Sequence, residues 1–98
     1  MKHLIIIGAG GMGRTMYDMA RESIGYGSQY DIRGFIDDNV SALDNFANYP
    51  PLIAPIQGYL PKEDEIFICS IGGSSRQKCM EEIVNRGGKF LTMIHTTA

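Results

Sequence analysis

Residues 8–13 read Gly-Ala-Gly-Gly-Met-Gly and follow directly on the apolar run Leu4 to Ile7. Four large aliphatic residues in a row, stopped by glycine, suit a parallel strand buried on both faces better than an antiparallel strand with one wet face. After the glycines the period changes. Met12, Met16, Met19 and Ala20 recur at helical spacing with Arg14, Asp18, Arg21 and Glu22 between them, and Gly25 offers a stop signal. The pattern G-x-G-x-x-G therefore falls on Gly8, Gly10 and Gly13 at a strand-to-helix junction. Each glycine has a mechanical reason there. Gly8 permits the tight turn, Gly10 lets a diphosphate approach the backbone, and Gly13 lets the helix pack closely on the strand. Free N–H groups and the positive end of the helix dipole then face an anion. The plain structural alternative is a tight turn that binds nothing.

The rest of the chain repeats this alternation. Tyr30 to Asp37 reads as a second strand, with Ile32, Phe35 and Ile36 as core and Asp37-Asp38-Asn39 as turn. Asn39 to Asp64 holds all four prolines and reads as loop, with at most a short strand near Ile56 to Tyr59. Glu65 to Ile71 is a continuous apolar strand. Ser74 and Ser75 suit the N-cap of a helix through Asn85, whose stripe is Cys79, Met80, Ile83 and Val84. Gly87-Gly88 stops that helix, and Lys89 to Ile94 reads as a last strand. The order β-α-β-loop-β-α-β predicts an α/β domain of three layers, a parallel sheet with helices on both faces. At 98 residues the whole chain, 1–98, makes one small domain with one modest core.

Composition excludes several functions. Nine Lys plus Arg against eleven Asp plus Glu, without a long block of one sign, give non-specific nucleic-acid binding no electrostatic basis. No stretch approaches the roughly 20 apolar residues of a membrane helix, and the opening apolar run is too short for a secretory leader. The chain reads as cytoplasmic. Cys69 and Cys79 lack CxxC spacing, which disfavours a disulfide or a thiolate metal site, and His3 and His95 have no ligating partner nearby in sequence. No metal site and no catalytic group is expected: neither Ser-His-Asp nor paired carboxylates can be assembled from the spacing.

Two further junctions could contact a ligand. Asp37 and Asp38 end the second strand, roughly where a nucleotide-binding β-α-β unit places an acid for a ribose hydroxyl, although Asp and Asn also serve turns without any ligand. Gly72 and Gly73 lie at the second strand-to-helix junction, where Gly72 lets a base or ribose approach the backbone. Arg76 follows in the first helical turn, as a phosphate partner or as a solvated side chain. Met12, by its spacing, serves as core or as a loop residue next to the ligand. An NAD(H)-binding regulatory or dehydrogenase module would use the same glycine loop and strand-end acid.

Four segments together resemble one family. They are Ile7-Gly8-Ala9-Gly10-Gly11-Met12-Gly13, Phe35-Ile36-Asp37-Asp38, Ser70-Ile71-Gly72, and Gly88-Lys89-Phe90 through Ile94-His95-Thr96-Thr97-Ala98. They resemble the N-terminal domain of bacterial sugar acyltransferases of the PglD and NeuD type, hexapeptide-repeat enzymes of surface polysaccharide and glycan synthesis. The resemblance implies a Rossmann-like domain that binds a UDP-sugar. It also implies a further left-handed β-helix, absent from these 98 residues, that binds acetyl-CoA, trimerises and supplies the catalytic histidine. On that basis Gly10, Gly11 and Met12 meet the sugar nucleotide, Asp37 and Asp38 hold the uridine, and Gly72 lies against it. Met12 departs from relatives that carry histidine there. The domain is then expected to bind substrate without catalysing and to need no cofactor of its own, with His95 not the catalytic histidine.

Overall fold

A computed structural model of the chain describes residues 2–23, 25–39, 41–44 and 49–91. Four strands and two helices follow in the order β1 (Lys2–Ile7), α1 (Gly11–Arg21), β2 (Tyr30–Ile36), β3 (Leu52–Ala54), β4 (Glu65–Cys69) and α2 (Ser74–Asn85). All pairings are parallel, in the sheet order β3-β2-β1-β4. The fold is the α/β three-layer, Rossmann-like arrangement that the alternation predicts. Leu4, Ile5, Ile6 and Ile7 are wholly buried because β1 is central and covered on both faces. Leu4 and Ile6 join Phe35, Ile68 and Ala20 of α1 in one cluster. Ile5 and Ile7 join Ile36, Phe67, Cys69 and Ile83 of α2 in the other. Each such side chain contributes about 1.5–3 kcal/mol relative to exposure. That burial, rather than helix propensity, holds the two short helices to the sheet.

Several local expectations change. The short strand lies at Leu52–Ala54, paired with Phe35 and Ile36 of β2, and not at Ile56 to Tyr59. Ile56 to Tyr59 instead closes a turn, Tyr59 N–H donating to Ile56 O at 3.1 Å, so that Ile56 is buried against α2 while Tyr59 reaches Glu65. The N-cap of α2 is Gly73, at φ +68° and without a side-chain cap, in place of the serines. β2 and β4 end at Ile36 and Cys69, slightly short of the predicted limits. Beyond β4, Phe67 N–H donates to Lys89 O and Leu91 N–H to Phe67 O, both at 2.9 Å, so pairing begins where the last strand was expected. Residues 92–98, including His95, lie outside the described residues. Cys69 and Cys79 are both free thiols. No described helix is long and apolar enough to cross a membrane.

At the amino-terminal end of the sheet the register of β1 on β2 shifts between Leu4 and Ile5, which leaves Arg33 as an extra residue in β2. A bulge bends its strand and re-aims the side chain. Arg33 Nη1 reaches across β1 to Glu65 Oε2 at 2.6 Å. The Glu65 carboxylate is fully buried and also accepts from Tyr59 Oη at 2.8 Å and Lys62 N–H at 2.9 Å. Burial, and then the Glu65 carboxylate beside it, push the Tyr59 phenol well above its usual range. The folded state therefore holds that proton more tightly than the unfolded chain does. Stability from this source is complete below the unfolded pKa near 10 and is lost as pH rises toward the folded value. We expect the urea midpoint to fall between pH 9 and pH 11, and to fall less in Tyr59→Phe; equal falls in the two proteins would contradict the assignment.

Candidate functional site

The carboxyl ends of β1 and β4 meet where the strand order reverses, because the chain passes from β1 outward to β2 and β3 before returning on the far side of β1 as β4. Open parallel sheets form their ligand crevices at this point. The three motif glycines carry separate geometric duties there. Gly8 turns the chain at φ +96°, and a side chain on it would meet Ser70 Oγ at 2.5 Å. A Cβ on Gly13 would overlap the carbonyl oxygen of Gly8, so α1 sits directly on the end of β1. Gly10 has ordinary extended backbone (φ −75°, ψ −166°), and open space lies where its Cβ would be.

The loop leaves donors uncommitted. Gly8 N–H donates to Ile36 O and Ala9 N–H to Asp37 Oδ2, each at 2.8 Å. The next four N–H groups, of Gly10, Gly11, Met12 and Gly13, have no hydrogen-bond partner among the described residues, and the first in-helix bond is from Arg14 to Gly10 O at 3.0 Å. No side chain caps α1 and no acid stands in its first turn. The Arg14 guanidinium folds back over the loop, Nη1 donating to Ala9 O at 3.2 Å. A cation in the first turn opposes the helix dipole unless an anion is shared. That opposition is the one sequence signal that could have singled out Arg14, which the spacing read only as a polar-face residue.

The second crossing is fastened to the first. Ser70 N–H donates to Ile7 O at 2.9 Å, while its hydroxyl donates to Ile7 O at 2.7 Å and also lies 3.1 Å from Gly8 O. Ser70 is marked in the sequence only as the first residue of the Ser70-Ile71-Gly72 segment and without a role of its own, since a serine after a strand has no sequence signature for this bridging role. Open space lies above both Gly72 and Gly73, and their N–H groups have no partner among the described residues. Like α1, α2 has no acid in its first turn. Arg76 Nη1 donates to Cys69 O at 3.2 Å and lines a cavity with Ile68, Met80, Phe90 and Leu91. Its guanidinium thus sits at the end of β4, in a cavity that Met16 of α1 also lines, whereas Arg14 sits at the glycine loop.

The two aspartates part company. Asp37 uses one oxygen on Ala9 and the other on Asn39 N–H at 2.8 Å. Asp38 gives one oxygen to Gln57 N–H at 3.0 Å and has no partner for the second among the described residues. Asp38 lines a cavity of about 410 Å³, closed by Ile56 and Gln57 on one side and by Ser75, Lys78, Cys79 and Glu82 of α2, with Arg86 just past its end, on the other. Burial beside Cys69 raises the Cys79 thiol above its ordinary range, which disfavours the thiolate. Met12, expected as core or loop contact, is largely exposed at the mouth of the glycine loop. Among the described residues no group of His, Cys, Asp and Glu could hold a metal ion.

A glycine loop with open amides, beside an acidic strand end and a second glycine crossing, is shared by many nucleotide-binding domains, and sequence comparison separates them. The family model of the PglD N-terminal domain matches residues 3–83. The chain belongs to the PglD N-terminal domain family. Membership places it among sugar acyltransferase-family proteins. Among curated proteins, none matches the chain. Within the PglD N-terminal domain match lie β1 from His3 onward, the glycine loop, both aspartates, Ser70 and the second glycine crossing.

Proposed function

We propose that this PglD N-terminal domain holds the nucleotide-sugar substrate of a sugar acyltransferase of surface polysaccharide or glycan synthesis. The observation that carries the proposal is the run of four uncommitted N–H groups, Gly10 to Gly13, at an uncapped helix start that carries an arginine and no acid. A diphosphate supplies the acceptors and the negative charge such a start attracts. Gly8 and Gly13 hold the loop in shape, and Gly10, Gly11 and Met12 border the ligand. Arg14 is the nearest cation, and Arg76 adds positive charge at the same end of the sheet. Gly72 and Gly73 border the ligand from the second crossing, and the free oxygen of Asp38 accepts from the uridine. An NAD(H) module would use a strand-end carboxylate for the ribose, where Asp37 already accepts from Ala9 and Asn39, and the ligand comparison below separates the two readings.

Acyl transfer itself belongs, in this proposal, to a further domain that takes acetyl-CoA and forms a cytoplasmic homotrimer. The domain of residues 1–98 then binds and does not turn over; acetyl transfer from acetyl-CoA to a UDP-sugar by this chain alone would refute that.

Thermal shift with UDP-N-acetylglucosamine and with NADH tests the binding claim. A ligand at 100 times its Kd stabilises the fold by about 2.7 kcal/mol. The expected result is a raised Tm with the UDP-sugar and none with NADH. Gly10→Ala sharpens the test, because the new methyl enters open space in the free protein but stands where the diphosphate would lie. We expect its stability to change by no more than about 1 kcal/mol, as for other N-cap exchanges, with the UDP-sugar shift abolished. A full shift in Gly10→Ala would remove the loop from the site.

A further inference from the structure

Ala9 separates the first two motif glycines, and both of its backbone groups are gripped. Its N–H donates to Asp37 Oδ2 at 2.8 Å, and its carbonyl accepts from Arg14 Nη1 at 3.2 Å. The β1–β2 ladder ends one residue earlier, at the bond from Gly8 N–H to Ile36 O. Beyond it the chain turns at Gly8, and no strand carbonyl is in register for the next donor. The Asp37 side chain stands in for one. Ala9 is wholly buried, so without this acceptor its N–H would be a buried orphan, a state that folded proteins avoid. The other Asp37 oxygen accepts from Asn39 N–H, an Asx turn that holds the carboxylate itself in place.

We propose that Asp37 is a positioning residue for the nucleotide-sugar site: it fixes the Ala9 peptide so that Gly10 to Gly13 present their N–H groups outward, and it makes no contact with the ribose. The assignment rests on the nucleotide-sugar reading above. It inverts the usual expectation for an acid at this strand end, and it separates Asp37, which acts through the loop, from Asp38, which lines a cavity and has one oxygen without a partner among the described residues.

The test is a cycle between protein and ligand. Affinities of wild type, Asp37→Ala and Asp37→Asn are measured for UDP and for 2′,3′-dideoxy-UDP, which lacks both ribose hydroxyls. A positioning residue predicts that Asp37→Ala weakens both ligands by the same factor, about ten-fold for one lost hydrogen bond to a charged acceptor. Asp37→Asn, which keeps one acceptor oxygen, restores much of the affinity for both. Amide hydrogen exchange supplies a readout without ligand: in Asp37→Ala the Ala9 N–H exchanges faster while that of Gly8 keeps its protection, which also verifies the fold. A loss confined to UDP would place Asp37 on the ribose and overturn the assignment, as would unchanged Ala9 protection. Absence of any UDP binding by the wild-type chain would overturn the nucleotide-sugar reading and this assignment together, and is distinct from unequal losses, which sink the assignment alone.

Discussion

Gly13→Ala is expected to cost about 3 kcal/mol and to lower Tm by roughly 15 °C in a chain of this size. The new methyl would overlap the Gly8 carbonyl oxygen and lie 2.8 Å from its carbon, and both are backbone atoms fixed by the β1 ladder. Ordinary overpacking costs ~1–3 kcal/mol because side chains yield, and here none is available to do so. The helix must lift away from β1 and loosen the Leu4, Ile6, Phe35 and Ala20 cluster. Urea unfolding followed by circular dichroism reads the cost directly. A midpoint equal to that of wild type would show that α1 does not sit on the strand end. The contrast with Gly10→Ala matters most: two glycines three residues apart, one replaceable at little cost to the fold and the other not.

Glu65→Ala should be of similar size for a different reason. It leaves Arg33, Tyr59 Oη and Lys62 N–H without their shared acceptor at a fully buried position. Breaking one side of a buried ion pair costs about 3–5 kcal/mol, and because Arg33 keeps some contact with water the lower end applies. Replacing Arg33 and Glu65 together by Met and Leu should recover part of the loss, since apolar partners of similar volume carry no desolvation penalty. A double-mutant cycle by urea denaturation measures this. A Glu65→Ala loss below about 1 kcal/mol would mean that the pair is spent on something other than stability.

Much of the domain was legible because its constraints are steric. A run such as Leu4 to Ile7 has one sensible place, between two helical layers, and the spacing of Gly8, Gly10 and Gly13 encoded a turn, an open approach and a close contact. Even the bulge left a trace: Ile32 and Phe35 pack on the same face three residues apart, which a strict period of two forbids, and Arg33 is the surplus residue. What stayed hidden was set by partners distant in sequence. The three residues of β3 lie among prolines and are a strand only because Phe35 and Ile36 offer a free edge. Ser74 and Ser75 have capping chemistry, yet Gly73, in a left-handed conformation closed to serine, takes the cap. Ser70 and Arg14 gain their roles from carbonyls at the end of β1 and in the glycine loop, and Asp37 from an amide 28 residues away.

The Ser70 fastening bears on kinetics. Its hydroxyl closes on carbonyls 63 and 62 residues upstream, so the two halves of the rim are joined only once the long loop between β1 and β4 has closed. Long-range contacts of this kind tend to be completed late in folding. A half-folded intermediate would then be blind to nucleotide, and ligand would act as a brake on unfolding while leaving the refolding limb of the chevron unmoved.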